Sequence, residues 1–537
     1  MPKFSSRTYR LLWDAHSMTG VVIGLALFVL FATGALLLFR GEIRKWEEPA
    51  LRSSPGEKAS LDALTGPVLD SLGQGDKPPS YVYMGLPAGG NDNLYLYATG
   101  GTAGGSRDVW VNPESGEWVA NPNDGAITQT LYYLHFFYQI GLWGLYLSGA
   151  VGLFALLAIV TGTAVHLERL VKDFFQFRPS EKLRVAWADA HKVLGTIGLP
   201  FQVMYAFTGA YFGLVGLIAL PYASMLFGGD MNTFYQKAGY YAPTVQVDSA
   251  ETASPPESSL EGVAARAEDA WPGFTPQTMI ISNMGAPDSR IEVIGQTQGV
   301  VFGGTGSLVY HGATGKELQR SPPGEAGPLN QVVQSMEELH FAEFGGRALE
   351  ILFFLLALAS SAVILTGNFI WLEVRRAQDR AVNTILARLT AGVATGMAPA
   401  TALMFLSAWW HPPSMGTDEW TDLVLFGSWG LCVVYALARS NIARTHRTLL
   451  AAGGLLALLV PVANGFATGD WPWVAWAAGR WAVVGVDVGA VLSGGALLGL
   501  AAELDVGETP PAEPSKSEEN LSPTAGKTPE EVLLDAG

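Results

Sequence analysis

Eight apolar runs, each long enough to cross a lipid bilayer, constrain this chain more than any other feature of its sequence. A membrane-spanning helix needs about 20 consecutive apolar residues. The chain of 537 residues is 49% hydrophobic and only 15% charged, which is too apolar for a soluble protein of this length. The sequence predicts spans at residues 18–40, 141–165, 193–220, 348–371, 389–410, 421–438, 448–466 and 474–502. The first run lacks a cleavage pattern and is expected to remain as an anchor.

The positions of the basic residues predict the orientation of these spans. Lys and Arg concentrate before span one, between spans two and three, after span four and after span six, whereas residues 411–422 are acidic. Because cytoplasmic loops are rich in Lys and Arg, both termini are expected in the cytoplasm. The predicted layout is a helix at 8–40, an outer segment at 41–130, helices at 131–178 and 186–220, a second outer segment at 221–335, a helix at 336–378, a four-helix extension at 385–502 and a disordered cytoplasmic tail at 503–537.

Both long outer segments carry the alternating apolar and polar pattern of β-strands, followed by a tight turn. The turns fall at residues 112–117 and 312–317. An amphipathic helix is expected at residues 260–271, before the strands of the second segment. Each segment is therefore predicted to form a small α+β module, and the two modules together form a cap outside the membrane.

Four histidines repeat at fixed offsets. An offset of 175 residues relates Asp14-Ala15-His16 to Asp189-Ala190-His191, and an offset of 205 relates Leu134-His135-Phe136 to Leu339-His340-Phe341. The same two offsets relate four Thr-Gly steps, at Thr33-Gly34, Thr161-Gly162, Thr208-Gly209 and Thr366-Gly367. The pattern indicates duplicated helix pairs, each with one histidine at either end of the membrane layer.

Imidazole suits haem iron, and membrane b-type haems are commonly held by two histidines from neighbouring helices. The repeat pairs His16 with His191 at the cytoplasmic side and His135 with His340 at the outer side, which predicts two haems stacked across the bilayer. A single histidine at a helix end is more often an interfacial side chain, but four that follow the repeat favour ligation. His166 breaks the symmetry, and it either replaces an inner ligand, contacts a propionate or extends to the interface.

The residues beside these histidines have simpler interpretations. Asp14 and Asp189 are expected to be helix N-caps, with a role in orienting the imidazoles as the alternative. The Thr-Gly steps are expected to serve helix packing first and haem clearance second. Gly20 and Gly195 lie one turn after His16 and His191, where haem clearance and packing are equally good explanations.

Other function classes receive less support. The net charge of −16 and the lack of a basic patch argue against nucleic acid as a partner. The single cysteine, Cys432, excludes a disulfide, a thiolate zinc site or an iron–sulfur cluster within the chain. No dinucleotide-binding fingerprint is present, so electrons are expected from a separate cytoplasmic protein or a quinol.

Taken together, the D-A-H start, the T-G step in each span, the L-H-F before spans two and four and the duplicated turns resemble PepSY-associated transmembrane proteins over residues 8–378. This resemblance implies an all-α membrane bundle with two PepSY-like periplasmic modules, in the inner membrane of a bacterium. It also implies haem b ligation at His16, His135, His191 and His340, and reduction of ferric siderophores. It does not address the last four spans.

The sequence therefore predicts a di-haem electron-transfer protein that reduces a ferric siderophore or another ferric chelate on the periplasmic side. Two rival hypotheses remain at this point. One is a haem-free transporter, favoured by eight spans and an internal repeat, although the two copies enter the membrane from the same side. The other is a regulatory membrane protein whose outer modules bind a peptidase.

Overall fold

The computed structural model describes residues 4–52, 58–72, 79–87, 93–100, 106–120, 126–167, 175, 178, 183–231, 233–234, 259–297, 304–325, 328–342, 344–378 and 380–504. Within these residues, eight helices are long and apolar enough to cross a membrane, which confirms the predicted number of spans. The predicted disordered tail at 503–537 lies outside the described residues except for its first two positions. The protein is thus mostly helical and passes the membrane several times.

The first four spans are α1 (Ser6–Leu37), α5 (Leu142–His166), α7 (Leu199–Phe227) and α10 (Gly346–Val374). Shorter helices accompany them: α2 (Arg40–Glu47), α3 (Leu61–Leu72), α4 (Ala126–His135), α6 (Leu183–Ile197), α8 (Leu260–Glu268) and α9 (Pro328–Phe341). We call the end of the bundle where α1 ends and α5 begins the sheet end, since the strands are inserted there. The opposite end is the far end.

The C-terminal extension contains the other four spans. The first of them, Ala381–Leu406, consists of α11 (Ala381–Leu389), a π-helical stretch (Thr390–Thr395) and α12 (Met397–Leu406). It is followed by α13 (Thr417–Ala438), α14 (Ile442–Thr468), the short α15 (Pro472–Ala477) and α16 (Trp481–Glu503). We call these four spans and α15 the extension.

The prediction that Asp14 and Asp189 are helix N-caps is wrong. The N-cap of α1 is Ser5, whose hydroxyl accepts a hydrogen bond from the Thr8 amide at 3.2 Å, so Asp14 lies inside the helix. Asp189 lies inside α6 and accepts hydrogen bonds from Arg178 instead. The helices begin before the apolar runs because polar residues continue the same backbone hydrogen bonding beyond the membrane layer.

The two outer segments share one eight-stranded antiparallel sheet, in the order β4-β3-β2-β1-β5-β6-β7-β8. Its strands are β1 (Tyr81–Gly85), β2 (Leu94–Thr99), β3 (Ser106–Val111), β4 (Trp118–Ala120), β5 (Phe274–Ser282), β6 (Arg290–Thr297), β7 (Thr305–His311) and β8 (Glu317–Ser321). Pairing of β1 with β5, from Tyr81 opposite Ser282 to Gly85 opposite Thr278, joins the halves. The cap is therefore one continuous body.

Alternation along the strands sorts the side chains of the sheet onto two faces. Val82, Leu96, Met279 and Val293 point to the buried face and are at most 1% exposed. This face packs against α3 and α8, and α8 confirms the helix expected at 260–271, although it ends at Glu268. The apolar core of the cap thus lies between the sheet and two helices.

A buried polar cluster joins the segment that follows α1, up to Arg52, to the extension. Arg52 donates to Asp470 at 2.6 Å and to Asn464 at 3.1 Å. Asp487 accepts from the Trp46 indole at 2.8 Å and from the Asn464 amide at 3.2 Å. Arg480 also pairs with Asp470, so Arg480 and Asp487 belong to one interior cluster. Because these buried charges are paired and hydrogen-bonded, their main role is to hold the two parts together.

Candidate functional site

The four repeated histidines form two pairs, one at each end of the first four spans. The ring centroids of His16 and His191 are 6.0 Å apart, and those of His135 and His340 are 6.1 Å apart. These are the two partnerships expected from the repeat. Each ring is only half-buried, so part of its surface stays accessible.

The two pairs are well separated along the bundle. His16 lies near the start of α1, whereas the His135 ring contacts the Leu30 carbonyl near the end of the same helix. With a rise of about 1.5 Å per residue, the 14 residues from His16 to Leu30 span roughly 21 Å. This separation allows a flat macrocycle at each level of the membrane.

Each imidazole docks on the neighbouring helix through its Nδ1 atom. His16 Nδ1 lies 2.8 Å from the Ala158 carbonyl, His135 Nδ1 lies 2.9 Å from the Leu30 carbonyl, and His191 Nδ1 lies 2.9 Å from the Val363 carbonyl. For His340, the partner of Nδ1 is the Thr208 hydroxyl at 2.8 Å. A carbonyl oxygen can only accept a hydrogen bond, so Nδ1 of the first three rings is the donor and, in the neutral imidazole, Nε2 keeps its lone pair.

The Thr-Gly steps form the surfaces that receive these rings. A Cβ atom at Gly34 would lie 2.9 Å from His135 Cε1, one at Gly162 would lie 2.7 Å from His16 Cε1, and one at Gly367 would lie 3.2 Å from His191 Cε1. Glycine at these positions therefore leaves the space that the imidazole fills.

The threonines of these steps complete the contact. Thr33 Oγ1 lies 3.2 Å from His135 Nδ1, and Thr366 Oγ1 lies 3.4 Å from His191 Nδ1. Thr161 donates to the Ala158 carbonyl, the same group that His16 contacts. The recurrence of the Thr-Gly step is visible in the sequence, which favoured helix packing first and haem clearance second. The structure shows that the steps at Gly34, Gly162 and Gly367 seat His135, His16 and His191.

Charge at the far end is concentrated beside His191. Asp189 is 2% exposed and accepts hydrogen bonds from Arg178 Nε at 2.9 Å and Arg178 Nη2 at 3.1 Å. These bonds hold the pKa of the Asp189 carboxyl below its usual range. Asp189 is thus a charged anchor for the start of α6, two residues before the histidine.

His166 lies near the far-end pair but makes a different contact. Its ring is 6.5 Å from the Trp13 ring in an edge-on arrangement. The pair at this end is formed by His16 and His191, so the structure does not bring His166 into the position of either ring. Its role as a ligand stays a prediction.

Two imidazoles at this spacing fit a hexacoordinate haem iron. With metal–nitrogen bonds of about 2.0–2.1 Å, rings on opposite sides of one metal have centroids roughly 6 Å apart. Among the described residues, no group of three or more His, Cys, Asp and Glu side chains converges as a ligand set for a bare metal ion. Each pair supplies two nitrogens, and the four nitrogens of a porphyrin would complete six.

The glycines after His16 and His191 also fit a flat ligand. A Cβ atom at Gly20 would meet no described atom within 4 Å, and one at Gly195 would meet only Val363 Cγ1 at 4.0 Å. Both therefore face open space rather than a close helix contact. The sequence left haem clearance and helix packing equally open at Gly20 and Gly195, and this open space argues against helix packing.

The helix that carries His135 is capped by a buried carboxyl. Glu47 is 5% exposed, and its two carboxyl oxygens lie 3.1 and 3.2 Å from the Ile127 amide in the first turn of α4. Burial raises the pKa of Glu47 to about 8, against the opposing effects of the Ile127 amide and Arg44. Glu47 is therefore largely protonated at neutral pH.

This shift predicts a pH dependence of stability. The folded state binds more protons than the unfolded state between about pH 4.5 and pH 8, so the free energy of unfolding falls as pH rises through that window, by up to about 1.4 kcal/mol per pH unit. Glu47→Gln is expected to reduce this slope, because the amide does not titrate. Unfolding of both proteins in detergent at several pH values measures it, and equal slopes would contradict the assignment.

The sequence of this chain is similar to one family model and to one curated protein. A family model described as "PepSY-associated TM region" matches residues 13–373, which include all four paired histidines. An uncharacterised protein of Pseudomonas aeruginosa is 27% identical over 394 residues, which cover 72% of this chain and 96% of that protein. Spans five to eight lie beyond the matched region.

Proposed function

Because the chain belongs to the family of the PepSY-associated TM region, we propose that it is a di-haem membrane electron-transfer protein that reduces a ferric chelate at the sheet end. The observation that carries this proposal is the pairing of His16 with His191 and of His135 with His340 at 6.0 and 6.1 Å. Haem b, when bound, supplies one-electron redox chemistry at each pair.

The chain's own residues account for the rest of the proposed chemistry. Backbone carbonyls of α1, α5 and α10 orient three of the imidazoles, which leaves their Nε2 atoms available to a metal. The Thr208 hydroxyl and the Tyr205 hydroxyl, which donates to the His340 carbonyl at 3.1 Å, hold the fourth. The helices around the pairs are apolar, as expected for a site within the membrane.

The proposed reaction moves one electron from the far end to the sheet end. A cytoplasmic protein or a quinol gives up the electron, and one Fe(III) of a siderophore or another chelate becomes Fe(II). Hard oxygen ligands hold the smaller, more highly charged ion more tightly, so reduction weakens the chelate and releases iron.

We place the chain in a bacterial inner membrane with its termini in the cytoplasm and the sheet in the periplasm. The support for this orientation is the distribution of charge. Arg10 and Arg184 lie at the far end, and Arg375, Arg388 and Arg444 lie at the ends of later spans on the same side by the order of the helices.

The proposal is tested by the visible spectrum of the purified protein. The reduced-minus-oxidised difference is expected to show the bands of low-spin b-type haem, with two haems per chain by pyridine haemochrome assay. A ferric chelate added to the dithionite-free reduced protein is expected to reoxidise both haems. A protein purified from haem-replete cells without haem bands would contradict the proposal and favour the transporter or the peptidase-binding hypothesis.

A further inference from the structure

Helices α4 and α9 are counterparts in the repeat, yet their surroundings differ. The offset of 205 that relates His135 to His340 also relates Ile127 to Val332. Ile127 is 0% exposed, whereas Val332 is 52% exposed. Two further counterparts show the same trend, since Leu131 and Leu134 are buried and Met336 and Leu339 are only half-buried. The helix that carries His135 is thus covered on a side where the helix that carries His340 is open.

The extension provides this cover. Ile127, Leu131 and Leu134 belong to one buried apolar cluster with residues from five helices of the extension. These partners include Met404 of α12, Leu425 of α13 and Val484 of α16. Leu134, which directly precedes His135, is a member of this shared cluster.

A hydrogen bond to a charged group adds a directed contact. The Thr130 hydroxyl of α4 donates to Asp422 Oδ1 of α13 at 2.6 Å, and the threonine is 4% exposed. Its counterpart in α9 is Ser335, whose hydroxyl donates to the Gln331 carbonyl of its own helix at 2.7 Å. The same position therefore reaches the extension in one repeat and remains within its helix in the other.

The first turn of α4 is also tied to the extension, through α2. Glu47 caps α4 at the Ile127 amide, and the Trp409 indole after α12 donates to the Glu47 carbonyl at 2.9 Å. Trp46, next to it, donates to Asp487 of α16 at 2.8 Å. The first turn of α4 is thus linked to the extension through α2, and its middle is linked directly through Thr130.

We propose that the extension is a positioning element for His135: it holds α4 and thereby sets the imidazole of one ligand at the sheet end, while His340 is positioned within the first four spans. The expected effect of this positioning on a haem rests on the proposed function. Thr130 and Asp422 are positioning residues, since they act through α4 and do not contact the pair. A displaced α4 would change the contact of His135 Nδ1 with the Leu30 carbonyl, and such contacts tune the basicity of a ligating imidazole.

The test compares Thr130→Val with its repeat counterpart, Ser335→Ala, in the full-length haem-loaded protein. Valine keeps the shape of threonine and removes the hydroxyl. In Thr130→Val, the low-spin EPR signal and the midpoint potential of one haem are expected to change while those of the other stay as in the wild type. Ser335→Ala is expected to leave both haems unchanged. Equal behaviour of the two variants, or equal changes at both haems, would overturn the inference.

Hydrogen–deuterium exchange gives a second readout that does not depend on haem. Loss of the part-buried hydrogen bond between Thr130 and Asp422 is expected to speed exchange of the α4 amides roughly ten-fold, with no change in α9. Thr130→Ser is expected to restore both the exchange rate and the spectrum, and Asp422→Asn to give a smaller change in the same direction as Thr130→Val. A wild type without haem would overturn the proposed function, and the exchange rates alone would then decide the positioning role. Unchanged exchange of the α4 amides in Thr130→Val would overturn the positioning role.

Discussion

Replacing His340 by alanine is expected to remove one of the two haems from the purified protein and to abolish reduction of a ferric chelate. The His340 ring is one half of the sheet-end pair, 6.1 Å from the His135 ring, and alanine offers no nitrogen to the metal. A haem held by one imidazole instead of two would bind more weakly and would become high-spin if it were retained. His135→Ala is expected to give the same result, because both rings serve one site.

Haem content by pyridine haemochrome and the low-spin EPR signals measure this effect. The far-end haem, between His16 and His191, is expected to remain in both variants, so the absorbance should fall by roughly half. His411→Ala is the matched control, since His411 is exposed and lies outside both pairs. Two haems of unchanged spin state in His340→Ala would contradict the assignment.

The same measurement resolves the role of His166 at the far end. His16→Ala and His191→Ala are each expected to remove the far-end haem while the sheet-end haem stays. His166→Ala is expected to keep both, because the His166 ring contacts Trp13 and does not take a place in the pair.

Replacing the glycine of a Thr-Gly step by alanine, which adds one methyl group, is expected to have the second largest effect on haem binding. In Gly162→Ala, the new Cβ would lie 2.7 Å from His16 Cε1 and 2.8 Å from its Nδ1. These distances are shorter than van der Waals contact, and the ring is held there by its bond to the Ala158 carbonyl. The imidazole must therefore leave its position, and the far-end haem is expected to be lost or to change its spin state.

The size of the effect is expected to follow the available space. Gly34→Ala, with its Cβ 2.9 Å from His135 Cε1, is expected to perturb the sheet-end haem nearly as strongly, and Gly367→Ala, at 3.2 Å from His191 Cε1, to perturb the far-end haem less. Haem content and EPR spectra of the three variants measure this order.

Helix stability separates this effect from misfolding. Alanine is favoured over glycine in a helix interior by roughly 1 kcal/mol, so the variants should not lose helicity. Gly485→Ala in α16 is the control, because a Cβ there would meet no described atom within 4 Å. Normal haem content in Gly162→Ala would show that the step does not seat the ring.

Much of the fold follows from patterns that repeat along the chain. The eight spans are confirmed because burial in lipid demands a continuous apolar run, whatever the neighbouring helices are. The alternation in β1, β2, β5 and β6 likewise reflects local geometry. Pairing of β1 with β5 is not visible in the sequence, because it joins strands that are almost 200 residues apart and depends on how the helices bring the two segments together.

For the candidate site, too, some features follow from the sequence and others only from the tertiary structure. The two fixed offsets in the sequence predicted that His16 pairs with His191 and His135 with His340, and they left His166 as an alternative at the inner site. Only the tertiary structure showed that His16, His135 and His191 dock on the Thr-Gly step of a neighbouring helix and that His340 contacts the Thr208 hydroxyl, since a step of two residues does not reveal which face it turns to which partner. Only the tertiary structure, too, brought the last four spans into contact with α4, the helix that carries His135. That asymmetry depends on side-chain packing between α4 and the extension, where Thr130 and Ser335 occupy equivalent positions in sequence but reach different partners in space.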